Sequence, residues 1–449
     1  MAWFRRIHQA TKCAKLPTRS LLEVASEDAS PARWVAAASL RNYVGVGTPT
    51  SSTRRLAETV EAELVDDIYR CSFVRQTGVS LKFMLNFLSQ PTEKNLLMSA
   101  QFLHKELPIR LAHRVAELEN LPCGLSDKAP ILTVRDWYVA SFRDLRAVKS
   151  IQTPEEELAF TDVLKKIKTR HNNVVPMVSL GIAQYKAERQ KAIDNMPLKA
   201  RPVKVMVNGE YASGAASPDG KDELMRPQVY EFLDRIFLSR IGLRVLIGQH
   251  VALHDQFQPD HVGIVHCKMS PVSVARDAIE DARQICMRAY GDAPEVEVFG
   301  DPELTFAYIP SHLHHMLFEL VKNSLRAVAE KYQNDTRLPP PIRVVIAEGA
   351  EDITIKVSDE GGGIPRSGID NIFSYFYTTA EVPIDFIEQA DSFTDGMPAV
   401  LAGYGYGLPI SRLYARYFGG DLQVMSMDGY GTDAYLHLNR LGDSEEPLP

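Results

Sequence analysis

The chain has 449 residues, 45% of them hydrophobic and 24% charged, with a formal net charge of −7. A chain this long divides into about two to four domains and buries a sizeable core unaided, which excludes a disulfide scaffold, a collagen-like chain or wholesale disorder. No apolar run is long enough for a membrane span, and the acidic balance argues against non-specific nucleic-acid binding, which needs Lys and Arg to neutralise phosphates.

The first 22 residues carry Arg5, Arg6, Lys12, Lys15 and Arg19 but no Asp or Glu, with Trp3, Phe4 and Ile7 near helical spacing. Basic, acid-free and amphipathic, this segment reads as a transit peptide of the mitochondrial type, and the matrix is the expected destination. Residues 23–55 are rich in Ala, Ser, Thr and Gly and read as linker, so cleavage is bounded only to about 20–55. Cys13, Cys71, Cys123, Cys267 and Cys286 are odd in number and form no CxxC, as expected of reduced thiols.

From 56 to about 190 apolar residues recur at steps of three and four, as in "LAETVEAELVDDIYRCSFV" and "NLLMSAQFLHKELPIRLAHRVAELENL". Pro108 is expected to kink or divide the second stretch. Residues 191–227, with "NGEYASGAASPDGKDE" at the centre, read as a mobile surface loop. Helix resumes through "VYEFLDRIFLSRIGLRVLIGQH". Residues 56–255 therefore form a four-helix-type bundle of antiparallel neighbours. After about 262, β-like runs alternate with helices, and residues 294–301, 341–349 and 352–359 are predicted strands. "DLQVMSM" and "TDAYLHL" flank "DGYG", a hairpin signal. Residues 256–442 are thus expected to hold a mixed sheet with helices on one face, followed by a short tail over 443–449.

"SHLHHMLFELVKNSLRAVAEKY" (311–332) reads as a helix with Ser311 as N-cap and Leu313, Leu317, Leu320, Ser324 and Val328 along a buried stripe. His315, Glu319 and Asn323 are spaced by four, so they fall within an arc of about 80°. Asn offers an oxygen suited to Mg²⁺, Glu can take a proton from a hydroxyl, and His one turn earlier could tune that carboxylate. Alone, the triplet reads as a solvated polar face.

Two glycine motifs change its weight. "SDEGGGIP" places Asp359 at a strand end, followed by Gly361, Gly362 and Gly363, where backbone can approach a ligand closely. "GYGYGLPIS" places Gly403, Tyr404, Gly405, Tyr406, Gly407 and Leu408 before a helix, with Pro409 in its first turn and Gly419-Gly420 at its end. Glycines feeding a helix N-terminus suit phosphates. Either motif alone is common. The order is specific: Glu-x-x-x-Asn helix, strand-DxGxG, long loop, GxGxG-helix, hairpin. A dinucleotide fold would carry its glycines earlier, in a βαβ unit.

At these residues the chain resembles the Bergerat (GHKL-type) ATP-binding fold. More closely, "HHMLFELVKNSLRAV", "VSDEGGGIP" and "AGYGYGLPISRLYARYFGGDLQVMSMDGYGTDAYLHL" resemble the mitochondrial pyruvate dehydrogenase kinases. "GVSLKFMLNF", "AQFLHKELPIRLAHR", "RHNNVVPM" and "SRIGLRVLIGQH" extend the likeness through the helical half, over roughly 60–445. The resemblance implies an α + α/β architecture, a helical bundle followed by a Bergerat-fold α/β sandwich. It implies a protein-serine kinase that uses ATP and Mg²⁺ to phosphorylate and inactivate the E1α subunit of pyruvate dehydrogenase.

By the same resemblance Glu319 is the general base, His315 tunes it, and Asn323 ligates Mg²⁺. Lys322 and Arg326 belong to the nucleotide segment, and Asp359 holds the adenine amine in a pocket shaped by Gly361 and Gly363. Thr378 and Thr379 lie near the nucleotide, and Gly403, Tyr404, Gly405, Tyr406, Gly407 and Leu408 wrap the phosphates. Residues 380–402 form a lid. His171 and Arg240 match a regulatory pocket for a small carboxylate such as pyruvate. Implied partners are E1α, the lipoyl domain of the E2 acetyltransferase and a second copy in a homodimer, with no nucleic acid and no membrane span. The ending "NRLGDSEEPLP" looks like the plant-type members and lacks the Asp-Trp tail of animal members. Three other readings share parts of this pattern. One is a branched-chain 2-oxoacid dehydrogenase kinase. Another is a histidine autokinase, for which His104, His113 and His171 are acceptor candidates. The third is an ATP-gated binding module without catalysis.

Overall fold

A computed structural model describes residues 56–88, 92–194, 204–207, 210–213, 227–254, 259–335, 337–375 and 405–448. The expected presequence and its linker lie outside these residues. The chain divides into two compact units, Met1–Arg70 and Cys71–Pro449. Helix α1 (Ala62–Ser72) buries Val65, Ile68 and Tyr69 at helical spacing.

The second unit begins with helices: α2 (Leu81–Leu88), α3 (Glu93–Glu119), a 3₁₀ turn (Pro122–Asp127), α4 (Ala129–Ala147), α5 (Pro154–Arg170) and α6 (Val174–Asp194). Their starts are written in the sequence. Thr92 caps α3 by accepting the Asn95 N–H. Thr153 and Glu156 form a reciprocal capping box on α5, with Pro154 in its first turn. Pro108 does not divide α3, which runs unbroken from Glu93 to Glu119. Leu107, Ile109 and Leu111 around it are buried, and packing on α4 outweighs the single lost backbone bond.

The expected loop over 191–227 is only partly irregular. Helix α6 reaches Asp194, and β1 (Lys204–Val207) pairs antiparallel with β2 (Glu210–Ser213). The next helix, α7 (Pro227–Ala252), packs on α3 and α5 and also on α11, described below, joining the bundle to the α/β half.

The remaining elements are β3 (His261–Val262), β4 (Val265–Met269), α8 (Pro271–Tyr290), β5 (Val296–Phe299), β6 (Phe306–Tyr308), α9 (Pro310–Tyr332), β7 (Ile342–Glu348), β8 (Asp352–Asp359), α10 (Arg366–Ile369), α11 (Gly407–Tyr417), β9 (Asp421–Met427) and β10 (Gly431–Asn439). Five strands form a mixed sheet in the order β5-β7-β8-β10-β9, parallel only at β5–β7. The hairpin pairs Gly431 with Met427. Ile353, Ile355 and Val357 point into the core and their neighbours do not, as strand alternation requires. Helices α8, α9 and α11 cover that face.

A second sheet, β3-β4-β6, has strands of two to five residues, too short to announce themselves by periodicity. Ser311 is not the N-cap of α9. Pro310 holds the first helical position, and Ile309 precedes it without a side-chain cap. A fixed proline φ starts this helix in place of a hydroxyl.

Candidate functional site: a nucleotide cavity between α9, β8 and α11

Helix α9 presents its buried stripe to β8 and α11, and the polar edge beside that stripe faces a cavity of about 530 Å³. Cavities of roughly 300–1,000 Å³ suit small molecules of cofactor size. Glu319, Lys322, Asn323 and Arg326 line one wall. Asp359, Gly361 and Gly363 form the base, and Gly405, Gly407 and Leu408 the opposite edge. The structure thus brings together residues drawn from three separate stretches of sequence.

Asp359 is 7% exposed and well satisfied. Ser324 donates its hydroxyl to Oδ2 at 2.9 Å, and the Gly361 N–H donates to Oδ1 at 2.9 Å. Burial pushes its pKa up, while the Gly361 N–H and the Ser324 hydroxyl pull the other way. The carboxylate is therefore fixed in direction, with lone pairs left for a ligand donor. The glycines beside it are steric necessities. A Cβ on Gly361 would stand 2.5 Å from Ala327 Cβ. Gly363 takes φ +73°, and a Cβ there would stand 2.1 Å from the Met427 carbonyl oxygen.

Glu319 sits at the other end of the cavity, its side chain 12% exposed. Lys322 Nζ donates to Oε1 at 2.7 Å. Oε2 lies where a Cβ of Gly407 would be, 2.0 Å away, so the missing side chain at 407 makes room for the carboxylate. This carboxylate stands next to the first turn of α11, whose free N–H groups and positive dipole end face the same space.

His315 stands differently from the expectation. Among the described residues neither ring nitrogen has a hydrogen-bond partner, and no bond joins it to Glu319. It packs edge-on to Tyr414 with centroids 5.1 Å apart. Burial first, then the nearby Lys322, His314 and Arg240 charges, lower its pKa to about 3, so the ring is neutral at pH 7. Tyr406 also turns aside: its backbone lies between Gly405 and Gly407, but its ring packs against Phe237 of α7 and Tyr375, at 6.0 and 5.8 Å. Gly403, Tyr404, Thr378, Thr379 and the expected lid at 380–402 lie outside the described residues.

Ser324 and Thr432 escaped the sequence reading. Ser324 reads as one more small residue on an apolar stripe, yet its hydroxyl orients Asp359. Thr432 lines the cavity from β10 and meets Ser426 Oγ at 3.0 Å.

A second polar cluster lies in the bundle. His171 caps the end of α5, 5% exposed, with Nε2 2.9 Å from Ser141 Oγ and its ring 4.7 Å from that of Tyr138. Burial, ahead of any charge, lowers its pKa to about 3. Arg240 donates to the Asn172 carbonyl at 3.3 Å, and Arg244 to the Asn172 side chain at 3.0 Å. Burial and the Arg244 charge bring Arg240 down to about 10. Among the described residues no carboxylate pairs with either arginine.

The fold agrees with the comparisons. Residues 308–441 match the family described as "Histidine kinase-, DNA gyrase B-, and HSP90-like ATPase". Residues 78–266 match "Mitochondrial branched-chain alpha-ketoacid dehydrogenase kinase". The Arabidopsis thaliana "[Pyruvate dehydrogenase (acetyl-transferring)] kinase, mitochondrial" is 54% identical over 399 residues, covering 89% of this chain and 100% of that protein. The chain belongs to the mitochondrial pyruvate dehydrogenase kinase family. Its fission-yeast relative of the same name (Schizosaccharomyces pombe) is 35% identical over 83% of this chain and 95% of its own. Pyruvate dehydrogenase kinase isozyme 4 of Homo sapiens is 38% identical, covering 83% of each chain. The pyruvate dehydrogenase kinase fold is thus a helical region followed by a GHKL α/β domain, and that domain is an ATP-binding one. All three relatives are named mitochondrial. No helix among the described residues is long and apolar enough to cross a membrane.

Proposed function

We propose that this chain is a protein-serine kinase that transfers a phosphoryl group from ATP to the E1α subunit of pyruvate dehydrogenase and so inactivates it. The observation that carries the reading is Glu319, whose carboxylate is held between Lys322 and the side-chain-free position 407 at the edge of a nucleotide-sized cavity. The cavity fits ATP. It offers a buried, oriented carboxylate at one end, glycines that a Cβ would close, and a helix N-terminus with a lysine and an arginine nearby. Asn323 fits Mg²⁺, a hard ion that takes one or two protein oxygens and leaves its other positions to phosphates and water.

Bound ATP with Mg²⁺ would supply the transferable phosphoryl group and neutralise its charge. The residues do the rest. Asp359 accepts from an exocyclic amine and fixes the base end. The first turn of α11 holds phosphate oxygens. Glu319 Oε2 takes the substrate hydroxyl proton, while Lys322 keeps Oε1 from rotating away. His315, neutral at pH 7, adds no positive charge beside Glu319. His171 and Arg240, with Ser141, Tyr138 and Arg244 around them, form the pocket for a small carboxylate such as pyruvate, and the two unmatched arginines favour an anion there. The lipoyl domain of E2 is the docking partner. A second copy pairs through the outer face of the five-stranded sheet, where Phe299, Val345, Met425 and Met427 lie exposed on one side. The basic segment 1–22 delivers the chain to the mitochondrial matrix.

The family description over 78–266 keeps one alternative substrate in view, branched-chain 2-oxoacid dehydrogenase. Incubation with Mg-ATP and each purified E1, followed by mapping of acid-stable phosphate with and without pyruvate, tests the assignment. Phosphoserine on the pyruvate dehydrogenase E1α, reduced by pyruvate, is expected. Preference for the branched-chain E1 would reassign the substrate. Acid-labile phosphate on the chain itself would make it a histidine autokinase, and nucleotide binding without transfer a binding module.

A further inference from the structure

Away from the nucleotide cavity, two helices of the bundle bring four donor atoms to one point. Glu157 and Thr161 stand one turn apart on α5. His250, in the last turn of α7, and His254, just past its end, share the same spacing. Glu157 Oε1 lies 3.0 Å from His250 Nε2 and 2.9 Å from His254 Nε2. Thr161 Oγ1 lies 3.1 Å from Glu157 Oε1, 3.0 Å from His250 Nε2 and 3.4 Å from His254 Nε2. The carboxylate and the two imidazoles all fall within 4.8 Å of one another.

We propose that Glu157, His250 and His254, completed by the Thr161 hydroxyl, hold a zinc-class divalent cation that clips α5 to the end of α7. In a tetrahedral site with bonds of about 2.0–2.1 Å, neighbouring ligand atoms stand about 3.3–3.4 Å apart. The five measured edges, 2.9–3.4 Å, need a few tenths of an ångström of expansion to admit the ion. The two imidazole donors favour zinc, cobalt or nickel over magnesium or calcium. The four-residue spacing of His250 and His254 is the one metal-binding helices use, here continued into the turn after α7.

The surroundings fit. His250 Nδ1 lies 2.9 Å from Ser99 Oγ on α3, the outer hydrogen bond that fixes a ligating ring and aims its other nitrogen. Glu157 and His250 are 5% and 1% exposed, whereas His254 is 15% exposed and gives the ion a way in. A glutamate buried this deeply costs free energy unless it is paired, and a cation compensates it more fully than hydrogen bonds alone. The clip would sit where α7 ends and the chain turns toward β3, holding the bundle's end in place independently of nucleotide.

The test uses the full chain, stripped with chelator and titrated with Zn²⁺ and separately with Co²⁺ in the absence of ATP. One equivalent should bind, Co²⁺ should give the intense visible bands of tetrahedral coordination, and Zn²⁺ should raise the melting temperature. His254→Ala should abolish the bands and the thermal shift while keeping the circular dichroism spectrum and ATP binding. Ser99→Ala should weaken Zn²⁺ binding about 10–100-fold. The half-buried pair His261 and His266, with ring centroids 4.3 Å apart, is the competing site, so His261→Ala/His266→Ala should leave all three signals unchanged. Absence of stoichiometric binding, octahedral Co²⁺ spectra, or binding that survives His254→Ala would overturn the proposal.

Discussion

Glu319 and Asp359 are both carboxylates in one cavity, and their surroundings separate their tasks. Asp359 is held by two donors and sits deep; Glu319 has one oxygen engaged and the other beside open space. Glu319→Gln should therefore keep the ATP dissociation constant within about threefold and lower phosphoryl transfer by about 10²–10⁴, the usual worth of a general base. Comparing nucleotide titration with single-turnover transfer checks this, and parallel loss of both would refute the base role. Asp359→Asn should act on binding first. Losing a charged hydrogen bond costs about 1.5–3 kcal/mol, or roughly 10–100-fold in affinity. An unchanged affinity by calorimetry would remove Asp359 from the base-binding role. Both residues were legible because each belongs to a spaced motif. Ser324 was not, since a hydroxyl on an apolar stripe carries no sign of what lies across from it until β8 is in place.

At the scale of elements, the meeting of α9 with α11 matters most, because it is set by an absent side chain. Gly407→Ala should displace the Glu319 carboxylate and depress transfer while changing folding stability by less than about 1 kcal/mol, since Glu319 can swing toward solvent. Denaturant midpoints measured beside single-turnover rates separate the two effects; equal rates in both proteins would show that the carboxylate does not need its observed position. Elements with strong periodicity were readable: α9, β7, β8 and the β9–β10 hairpin lie where alternation and turn residues put them. Those missed had weak local signals. Strands β3, β4 and β6 are too short for a period. Pro310 outcompeted Ser311 as the start of α9. The predicted break at Pro108 fails because long-range packing decides, and a local rule cannot weigh that. Tyr406 sits inside a phosphate-loop motif yet spends its ring on the bundle, a choice visible only once Phe237 and Tyr375 stand beside it.

At the scale of the whole molecule, buried ionisable groups set the response to pH. His171, His312 and His315 each fall to about 3 through burial. Unfolded, they titrate near 6.5, so between about pH 6.5 and 3 the unfolded chain binds protons that the folded one refuses. Their contribution is whole above that window and shrinks as pH falls, by up to about 1.4 kcal/mol per unit for each ring. Urea midpoints should drop from pH 7.5 to 5.5, and His312→Gln should flatten the slope; a slope unaltered in that variant would point to other groups.

Glu446 anchors a buried ion pair with Arg110. It accepts from Arg110 at 3.0 Å and from Tyr417 at 2.6 Å, and also takes the Val79 N–H at 3.2 Å. Glu446→Ala would leave the buried guanidinium with Glu106 as its one carboxylate and should cost about 3–5 kcal/mol, whereas Glu106→Met/Arg110→Met/Glu446→Leu, which removes all three charges, should recover most of it. Chemical denaturation of the two variants tests the contrast.

That ion pair joins residues 336 positions apart. During vectorial synthesis, or passage through a narrow pore, Arg110 emerges long before Glu446, the second of its two counter-charges. An intermediate that collapses early would leave Arg110 to the Glu106 carboxylate, one turn before it on α3, so a local partner holds the guanidinium until the distant glutamate completes the site.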